Sequence, residues 1–553
     1  MHFTTLLHHF ASVATVVAGI CPILGPVFPK PKELHSSIAF KETLKALHTT
    51  LDDAFASGNT THGTVDPNST YSIQIYSTIS EEPLLDYHRR GSEVLGNRTV
   101  DGDSVYRIAS TSKLITVYLL LLQAGETIFS DKVTKYVPDL AGVAYWDDIT
   151  VGSLASQLGG VTAELVDTSP LTGGDLSAEL PPGTLPLLTA NEKPKCSYDS
   201  SGCTKQAFLS DLASRRPVNL PNTTPGYSNA GFAVLGLVLE AAANSTFEET
   251  LRHLLLHPLQ LNATSISQPH DLSHAIIPGN ATASGWDLNL SDTPGAAMGG
   301  FFSTPNDLSA IGRAILSSTL LPNSTTRAWL KPTTFTSSLI GAVGRPWEIY
   351  RAVIDAKNNR VIDLYTKGGN LPGYASMLIL IPDFDVGITI MLAGEQGTGE
   401  TVIAGVITDE LLPALEEAAR VQAEAAFAGN YTASNGLNST VRLTTTHGVP
   451  GLSIEEWISN GTDLRASLYE GVESLQMLPT NIVSDDGKEI SWRSTYISVP
   501  ETGSPFDACP SWLAIDRPTY GIYSVDHFVF HMGEDGKAMD LEPKVLKIVL
   551  GKA

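Results

Sequence analysis

The sequence predicts an α+β fold followed by a separate β-rich domain. Up to about residue 427, apolar segments with helical spacing are mixed with strand-like runs, and four of those runs follow one another after Trp347. Beyond Gly429 only short alternating runs remain, separated by Asn-Gly and Asp-Gly turns. We therefore expect an antiparallel sheet with flanking helices over residues 21–427 and a barrel or sandwich over residues 428–553.

Length and charge limit the classes of protein to consider. The chain has 553 residues, which is too long for one ordinary hydrophobic core, so two domains are expected. It carries 58 acidic and 35 basic residues, and its formal net charge is -23. A surface this negative repels phosphate backbones and anionic lipids, so no nucleic-acid partner is expected.

Residues 1–20 are expected to form a secretory signal peptide. Thr4–Ile20 is a short apolar run that ends in small residues around Ala18 and Gly19. No lysine or arginine precedes this run and two histidines interrupt it, so a signal-anchor helix is the alternative. A cleaved signal peptide implies a secreted or secretory-pathway protein without membrane contact after cleavage.

Glycosylation sequons indicate the same compartment. More than half of the asparagines begin Asn-x-Ser/Thr without proline between, whereas ordinary Ser and Thr frequencies would give about one in six. The predicted acceptors are Asn59, Asn68, Asn97, Asn222, Asn244, Asn262, Asn280, Asn289, Asn323, Asn430, Asn438 and Asn460. We therefore expect the chain to pass through the endoplasmic reticulum as a glycoprotein.

Four cysteines are expected to form two disulfide bonds in this oxidising compartment. Cys196 and Cys203 enclose a short loop containing serine and glycine, and we pair them for that reason. Cys21 then pairs with Cys509, which requires signal cleavage before Cys21 and ties the mature N-terminus to the C-terminal region. A zinc site is the alternative, but no histidines lie nearby at ligand spacing, so no metal is expected.

The first part of the chain predicts one helix and two strands. A Pro-rich segment after Cys21 is extended. Residues 71–79 and the run PLLDYHRR alternate as strands do. A helix that covers a sheet face is expected between Ser36 and Ser57, because apolar residues recur there at helical spacing: Ile38, Leu44, Leu47, Leu51 and Phe55.

The strongest helical pattern lies within Val105–Gln123. Residues 114–122 are apolar almost all round, which is typical of a helix buried in a large domain, and Gly125 supplies a C-terminal stop. Ser110 and Lys113 lie three positions apart and so on one helical face. A serine hydroxyl needs a base to take its proton, and a neutral lysine amine can be that base. The lysine pKa must then fall from about 10.4 to roughly 7–8, which burial and a second cation would favour.

The remaining elements of the first domain follow in order. Residues 162–221 are rich in Pro, Gly and Ser, which predicts a substrate-facing insertion. A helix is expected over residues 230–243. Four antiparallel strands follow Trp347, namely EIYRAVIDA, RVIDLYTKGG, YASMLILIP and GITIMLAG, and they place Lys367 near a strand end. An alanine-rich helix over residues 400–426 closes the domain.

Two motifs follow Ser110-x-x-Lys113 in order, Tyr227-Ser228-Asn229 and Lys367-Gly368-Gly369. With these motifs the chain resembles the serine β-lactamase and penicillin-binding-protein superfamily, whose members show Ser-x-x-Lys, Tyr-x-Asn, and Lys-Thr-Gly or His-x-Gly. It looks closest to the branch with class C β-lactamases, family VIII-type esterases, D-aminopeptidases and fungal transesterases. The resemblance covers roughly residues 70–415. It implies a β-lactamase/transpeptidase-like antiparallel sheet flanked by helices plus an all-helical subdomain. Some members add a lipocalin-like C-terminal domain, which residues 428–553 resemble in pattern.

The resemblance implies acyl transfer through a covalent ester on Ser110. Lys113 and Tyr227 would share the proton transfers, and Asn229 would orient Lys113 and the substrate. Lys367 would offer positive charge to a substrate carboxylate.

The oxyanion of the reaction would be held by backbone amides. By the same resemblance these donors are the amide of Ser110 and that of Asn370, the residue after Lys-Gly-Gly. Gly368 and Gly369 complete this third motif, and neither metal nor organic cofactor is implied. Gly368 stands where lactamases usually have threonine, and many esterase-like relatives have histidine in place of Lys367, which weakens the case for antibiotic hydrolysis.

The sequence as a whole predicts a secreted serine hydrolase or acyltransferase acting on a small-molecule ester, lactone or amide. The alternatives are D-amino-acid peptidase or β-lactam hydrolase activity in the same site, and a catalytically silent ligand-binding glycoprotein. Ser228 is a rival nucleophile, since Gly226–Ala230 approximates the Gly-x-Ser-x-Gly elbow of α/β-hydrolases. A loop precedes it, however, where the elbow needs a buried strand.

Overall fold

The computed structural model describes residues 19–94, 98–164, 180–181, 183–189, 192–193, 195–196, 203–291, 293–356, 358–394, 399–472, 474–496, 498–499, 504, 506 and 508–553. The predicted signal peptide lies outside the described residues except for Gly19 and Ile20, and so does the predicted acceptor Asn97.

The helices of the described residues are α1 Ile38–Ser57, α2 Ser112–Ala124, α3 Val151–Ala155, α4 Lys205–Ser214, α5 Asn229–Ala243, α6 Phe247–Leu251, α7 His257–Leu259, α8 Ala296–Gly299, α9 Pro305–Leu316, α10 Asn323–Trp329, α11 Glu400–Phe427 and α12 Leu464–Leu468. The strands of the first part of the chain are β1 Gly19–Ile20, β2 Asn59–Thr60, β3 Gly63–Thr64, β4 Thr70–Ser77, β5 Leu85–Arg89, β6 Tyr106–Arg107, β7 Phe302–Ser303, β8 Thr334–Phe335, β9 Gly341–Val343, β10 Glu348–Asp355, β11 Arg360–Leu371, β12 Tyr374–Ile381 and β13 Val386–Ala393. Those of the last part are β14 Gly429–Thr432, β15 Thr440–Thr444, β16 Leu452–Ser459, β17 Thr462–Asp463, β18 Gln476–Val483, β19 Glu489–Thr495, β20 Ser498–Val499, β21 Thr519–Tyr520, β22 Tyr523–Ser524, β23 His527–Met532, β24 Ala538–Pro543 and β25 Leu550–Lys552.

The main sheet has eight strands in the order β5-β4-β13-β12-β11-β10-β9-β8. Its neighbours β4 and β13 pair antiparallel, as do β11 and β12. Helices cover both of its faces: the Phe55 ring of α1 lies 4.0 Å from that of Tyr71, and Ser309 of α9 donates to Gln74 on the opposite face of the same strand. Because of this double cover, all residues of β4, β12 and β13 are buried. The predicted sheet with flanking helices is confirmed.

Helix α2 forms the centre of the helical part. All of its residues from Ser112 to Leu121 are buried, as the uninterrupted apolar run predicts, and α5 and α8 pack against it. The helix ends at Gly125, which adopts a positive φ of 70° and whose N–H donates to the Leu121 carbonyl.

The start of α2 differs from the prediction. The spacing of Ser110 and Lys113 predicts that both lie on the helix, but Tyr106–Arg107 forms β6, which pairs with β7. A 3-10 turn then spans Ala109–Thr111, and Ala109 has a positive φ of 44°. Ser110 therefore lies on a tight turn just before α2, because a left-handed residue cannot belong to a right-handed helix.

The stretch 162–221 is only partly described. It contains α4, a helix that its Pro-, Gly- and Ser-rich composition does not predict; Thr204 caps this helix by accepting from the Ala207 N–H. Part of the predicted insertion, including residues 165–179, lies outside the described residues.

The C-terminal domain is a closed barrel. Its sheet runs β15-β14-β25-β24-β23-β19-β18-β16-β17, and β15 also pairs with β16, so eight strands form a ring and β17 extends it at one edge. Large aromatic side chains fill the interior, among them Trp457, Trp492, Phe528 and Phe530. Of the two predicted architectures, the barrel is the one present, and pairing of the first and last strands leaves the ring without open edges.

The chain divides into two compact units. One comprises the described residues up to Pro31 together with Val353–Ile362 and Leu415–Ala553, and the other comprises Lys32–Ala352 and Asp363–Ala414. Both predicted disulfides, Cys21–Cys509 and Cys196–Cys203, are present. In the first unit, β1 pairs with β20 next to the Cys21–Cys509 bond.

Among the described helices none is by itself long and apolar enough to cross a membrane. Two consecutive segments, Asn229–Ala243 and Phe247–Leu259, reach that length and composition only together, and they are bent by 74° relative to each other.

Candidate active site

Ser110 is held at the point where the main sheet meets the start of α2. The hydroxyl of Thr111 donates to the Lys367 carbonyl of β11 at 3.1 Å and contacts the Ser376 hydroxyl of β12 at 2.8 Å. Ser376 in turn donates to the carbonyl of Ile108 at 2.8 Å. These buried contacts fix the turn against two strands, so the position of Ser110 is set on both sides.

Lys113 lies on the first turn of α2 with no exposed surface. Its amine is 2.9 Å from the Ser110 Oγ, 2.6 Å from the Asn229 Oδ1 and 2.5 Å from the Met298 carbonyl. Burial lowers the pKa of this amine below the ordinary lysine value, and the charge of Lys367 lowers it further, while Tyr227 acts in the opposite direction. The predicted pairing of Ser110 and Lys113 is therefore present in space.

Tyr227 stands beside both lysines. Its ring centre is 5.0 Å from the Lys113 amine and 5.4 Å from the Lys367 amine. Burial of the hydroxyl alone would raise its pKa, but the two positive charges and hydrogen bonding with Lys113 and Ser110 outweigh this and lower the pKa of Tyr227 below its ordinary value. The ring remains 44% exposed, so a substrate can reach it.

Asn229 begins α5 and is oriented by two contacts of opposite kind. Its Oδ1 accepts from Lys113, and its Nδ2 donates to a carboxylate oxygen of Glu164. The backbone is fixed as well, because the Asn229 N–H donates to the Ala163 carbonyl at 2.9 Å. The amide can therefore present only its oxygen to the lysine.

Ser228, the rival nucleophile, is occupied by a structural role. It is 4% exposed, its hydroxyl donates to the Thr162 carbonyl at 2.7 Å, and it accepts from the Gly231 N–H at 2.8 Å as the N-cap of α5. No strand precedes it, since residues 221–228 form turns and irregular backbone. The nucleophile elbow is thus wrong for this chain.

Lys367 is buried in the sheet and paired. Its amine donates to the Glu348 Oε1 at 2.6 Å and to the Gly368 carbonyl at 2.7 Å, and only 1% of the residue is exposed. Burial opposes the charge, but Glu348 and then Tyr227 outweigh it and hold the pKa of Lys367 above its ordinary value. The expectation that Lys367 offers its charge to a substrate carboxylate was made without knowledge of Glu348, with which this lysine is paired.

Gly369 brings β11 into contact with the turn that carries Ser110. A Cβ at this position would lie 2.4 Å from the Ile108 carbonyl oxygen and 2.6 Å from the Ser110 nitrogen, both backbone atoms. Only glycine permits this approach. The next residue, Asn370, is exposed, and its side chain donates to the Glu400 Oε1 at 2.9 Å. The two amides expected to hold the oxyanion therefore belong to segments in direct contact.

Three carboxylates at this site were missed from the sequence: Glu164, Glu348 and Glu400. None belongs to a motif. Each reaches the site through the fold, Glu348 because β10 lies beside β11, and Glu164 because the residues after α3 pack on the start of α5. A sequence pattern that would identify them is absent, since acidic residues at such positions are usually solvated.

A second hydroxyl–imidazole–carboxylate chain exists on the main sheet but cannot act as a triad. The two nitrogens of His88 contact the Ser72 Oγ at 2.9 Å and the Asp86 Oδ1 at 2.8 Å. Ser72 has no exposed surface and also contacts the Tyr106 hydroxyl at 2.9 Å. This serine joins strands β4, β5 and β6 and is closed to any substrate.

Comparison with known proteins shows to which family the chain belongs. The family model described as Beta-lactamase matches residues 74–410, and one described as Beta-lactamase-like-like, C-terminal domain, matches residues 419–553. The "Beta-lactamase-like protein" of Arthroderma benhamiae is 31% identical over 522 residues, which cover 92% of this chain and 84% of that protein. The "Probable hydrolase clz13" of Cochliobolus lunatus is 27% identical over 581 residues, covering 96% and 91%.

Solved structures are similar as well. The D-stereospecific amidohydrolase from Streptomyces sp. has 19% sequence identity and a TM-score of 0.47, and the match covers 66% of this chain and 98% of that one.

The family models together span both domains, and the first of them alone spans more than half of the chain. The chain therefore belongs to the β-lactamase family of hydrolases.

Proposed function

We propose that this protein is a secreted serine hydrolase or acyltransferase that works through an acyl-enzyme on Ser110. The observation that carries the proposal is the environment of the Lys113 amine. Two of its four polar neighbours, the Asn229 Oδ1 and the Met298 carbonyl, can only accept hydrogen bonds, and the other two are the hydroxyls of Ser110 and Tyr227. A neutral amine has two N–H groups for these acceptors, and its lone pair is then left for the Ser110 hydroxyl at 2.9 Å. The lowered pKa of Lys113 favours this neutral form.

Acylation follows from that arrangement. The lone pair of Lys113 takes the Ser110 proton while the Oγ forms a bond to the acyl carbon, and the carbonyl electron pair moves onto its oxygen. The amides of Ser110 and Asn370 hold this oxyanion. When the tetrahedral adduct collapses, the bond to the leaving alcohol or amine breaks, and Tyr227 passes the proton from Lys113 to that group. Tyr227 suits this relay because both lysines lower its pKa.

Deacylation reverses the same steps. Water loses a proton to Tyr227 and Lys113, its oxygen bonds to the acyl carbon, and the Ser110 Oγ leaves and regains the proton. An alcohol in place of water gives acyl transfer. Esters, lactones and amides all fit this scheme; D-amino-acid peptide and β-lactam bonds are the second candidate, and a silent binding protein is the third.

Covalent labelling tests the proposal. A fluorophosphonate probe should label the native protein and Ser228→Ala equally, and it should fail to label Ser110→Ala. Thermal unfolding of each variant shows whether the fold is intact. Labelling of Ser110→Ala at the native rate would refute the proposal, and an unlabelled native protein would leave the silent binder as the better description.

Secretion and glycosylation are part of the same proposal. Each of the eleven predicted acceptor asparagines within the described residues is exposed, although nothing in the sequence pattern demands that all of them lie on the surface. Exposure is what the glycosylation machinery requires. The two disulfides are compatible with an oxidising compartment.

A further inference from the structure

Three carboxylates contact the groups with which a substrate would be bound. We call Glu164, Glu348 and Glu400 the acidic set. Glu164 accepts from the Asn229 side chain, Glu348 from Lys367, and Glu400 from the Asn370 side chain. The two polar side chains that the resemblance assigns to substrate binding, Asn229 and Lys367, therefore already contact a carboxylate, and so does the side chain of Asn370.

The cation at Lys367 is already paired with a carboxylate. Glu348 binds on two sides, since its Oε1 accepts from the Lys367 amine at 2.6 Å and its Oε2 accepts from the Gly368 N–H at 3.0 Å. A substrate carboxylate at Lys367 would have to share the amine with Glu348 and would be repelled by its negative charge.

The glycine at position 368 fits this arrangement. A Cβ there would lie 3.6 Å from the Glu348 Oε2 and 3.6 Å from the Met377 Cε, which is ordinary contact distance. The two further branch atoms of a threonine would have to fit beside the carboxylate. Gly368, the residue that departs from Lys-Thr-Gly, therefore lies in direct contact with Glu348.

The balance of charge is negative. Two lysines, Lys113 and Lys367, stand against the three members of the acidic set, and Lys113 must be neutral to act as the base. An anionic group next to the scissile bond therefore meets like charge, and because the Glu348 side chain is 34% exposed this repulsion can be screened by salt.

From this geometry we propose that Glu348 is a specificity-determining residue that excludes substrates with a carboxylate beside the scissile bond, so the site accepts neutral or amine-bearing esters and amides. The inference rests on the proposed acyl-enzyme function. It predicts that penicillin-like and succinyl-like acyl compounds are poor substrates because of their charge rather than their size.

Two esters that differ only in charge test it. The nitrophenyl esters of valeric acid and of succinic acid have chains of similar length, but only the second bears a carboxylate. In the native protein kcat/KM for the succinyl ester should be at least about tenfold below that for the valeryl ester. Glu348→Gln should reduce this ratio by about tenfold.

A matched control removes another carboxylate that pairs with a lysine. Asp131 contacts Lys135 at 2.8 Å on the surface of the same unit, and Asp131→Asn should leave the ratio unchanged.

Because Glu348→Gln leaves Lys367 with a weaker partner and can impair folding, ionic strength provides a second measurement. In the native protein the ratio should shrink as salt is raised from 0.05 to about 1 M, whereas exclusion by size would not respond.

The outcomes are distinct. Equal or better cleavage of the succinyl ester, or a ratio that neither salt nor Glu348→Gln changes, overturns the inference while the acyl-enzyme stands. Absence of turnover for both esters together with absence of Ser110 labelling overturns the proposed function and this inference with it.

Discussion

Lys113 combines full burial with contact to the nucleophile, and its chemistry should be visible in the pH dependence of the reaction. Burial and the nearby charge of Lys367 both lower its pKa. Since only the neutral amine can take the Ser110 proton, kcat/KM should fall as the pH drops through this pKa. That acid limb should lie below the ordinary lysine pKa of about 10.4.

Lys367→Met tests the origin of this shift. The substitution removes one positive charge that lowers the pKa of Lys113 and of Tyr227, so the acid limb of kcat/KM should move to higher pH. Lys113→Met should instead reduce kcat/KM by about 10²–10⁴-fold at every pH. A limb that moves to lower pH in Lys367→Met would contradict the assignment of Lys113 as the base.

At the scale of single residues, sequence reasoning succeeded where a motif fixes the spacing. Ser110, Lys113 and Tyr227 were predicted together, and they lie together. Glu348 and Glu164 could not be predicted, because each approaches the site from a segment without a motif. The pairing of Lys367 with Glu348 follows from the adjacency of β10 and β11, which a list of motifs does not contain.

At the scale of elements, the decisive contact is between β11 and the turn before α2. Gly369→Ala should reduce kcat/KM by about 100-fold or more and lower the melting temperature, because the new Cβ would meet backbone atoms at 2.4 and 2.6 Å. Gly368→Ala adds the same methyl group one residue earlier, where the nearest atoms are at 3.6 Å. This substitution should reduce kcat/KM and the melting temperature much less. Equal losses for the two variants would contradict this role of Gly369.

Helices and strands with a clear hydrophobic periodicity were predicted with start and end residues close to the observed ones. The helix expected over residues 230–243 is α5, Asn229–Ala243, and the four runs after Trp347 are β10 to β13. The prediction that Ser110 belongs to the helix failed for a local reason. Ala109 adopts a left-handed conformation that alanine rarely takes, and no propensity indicates it. Contacts of Thr111 and Ser376 with the backbone hold that turn in place.

At the scale of the whole molecule, glycosylation gives a direct prediction. Protein secreted from a eukaryotic host should lose mass on treatment with an N-glycosidase. Peptide mass spectrometry should then find asparagine converted to aspartate at several exposed sequons such as Asn222 and Asn438. Asn435, which is exposed but begins no sequon, should stay unmodified. Unmodified asparagine at every sequon would refute passage through the glycosylation pathway.

Which segments of the chain make up each of the two units could be predicted only in part. The change of pattern after Gly429 identified the β-rich domain, but a barrel and a sandwich have the same period of two. The structure also groups Val353–Ile362, from the middle of the chain, with the residues of the barrel. This segment contains the end of β10 and the start of β11, which read as ordinary parts of a strand pair, so the sequence pattern contains no sign of the division.

The bond between Cys21 and Cys509 has a consequence for biosynthesis. The two residues are 488 positions apart. A ribosome that adds about 5–20 residues per second needs roughly 25–100 s to synthesise that length. Throughout this time the early thiol has no native partner from the late part of the polypeptide and is exposed to mispairing with Cys196 or Cys203. Formation of the Cys21–Cys509 bond is therefore a late event in maturation. The yield of folded protein from an expression host should depend on the capacity of its disulfide isomerases to rearrange mispaired bonds of Cys21.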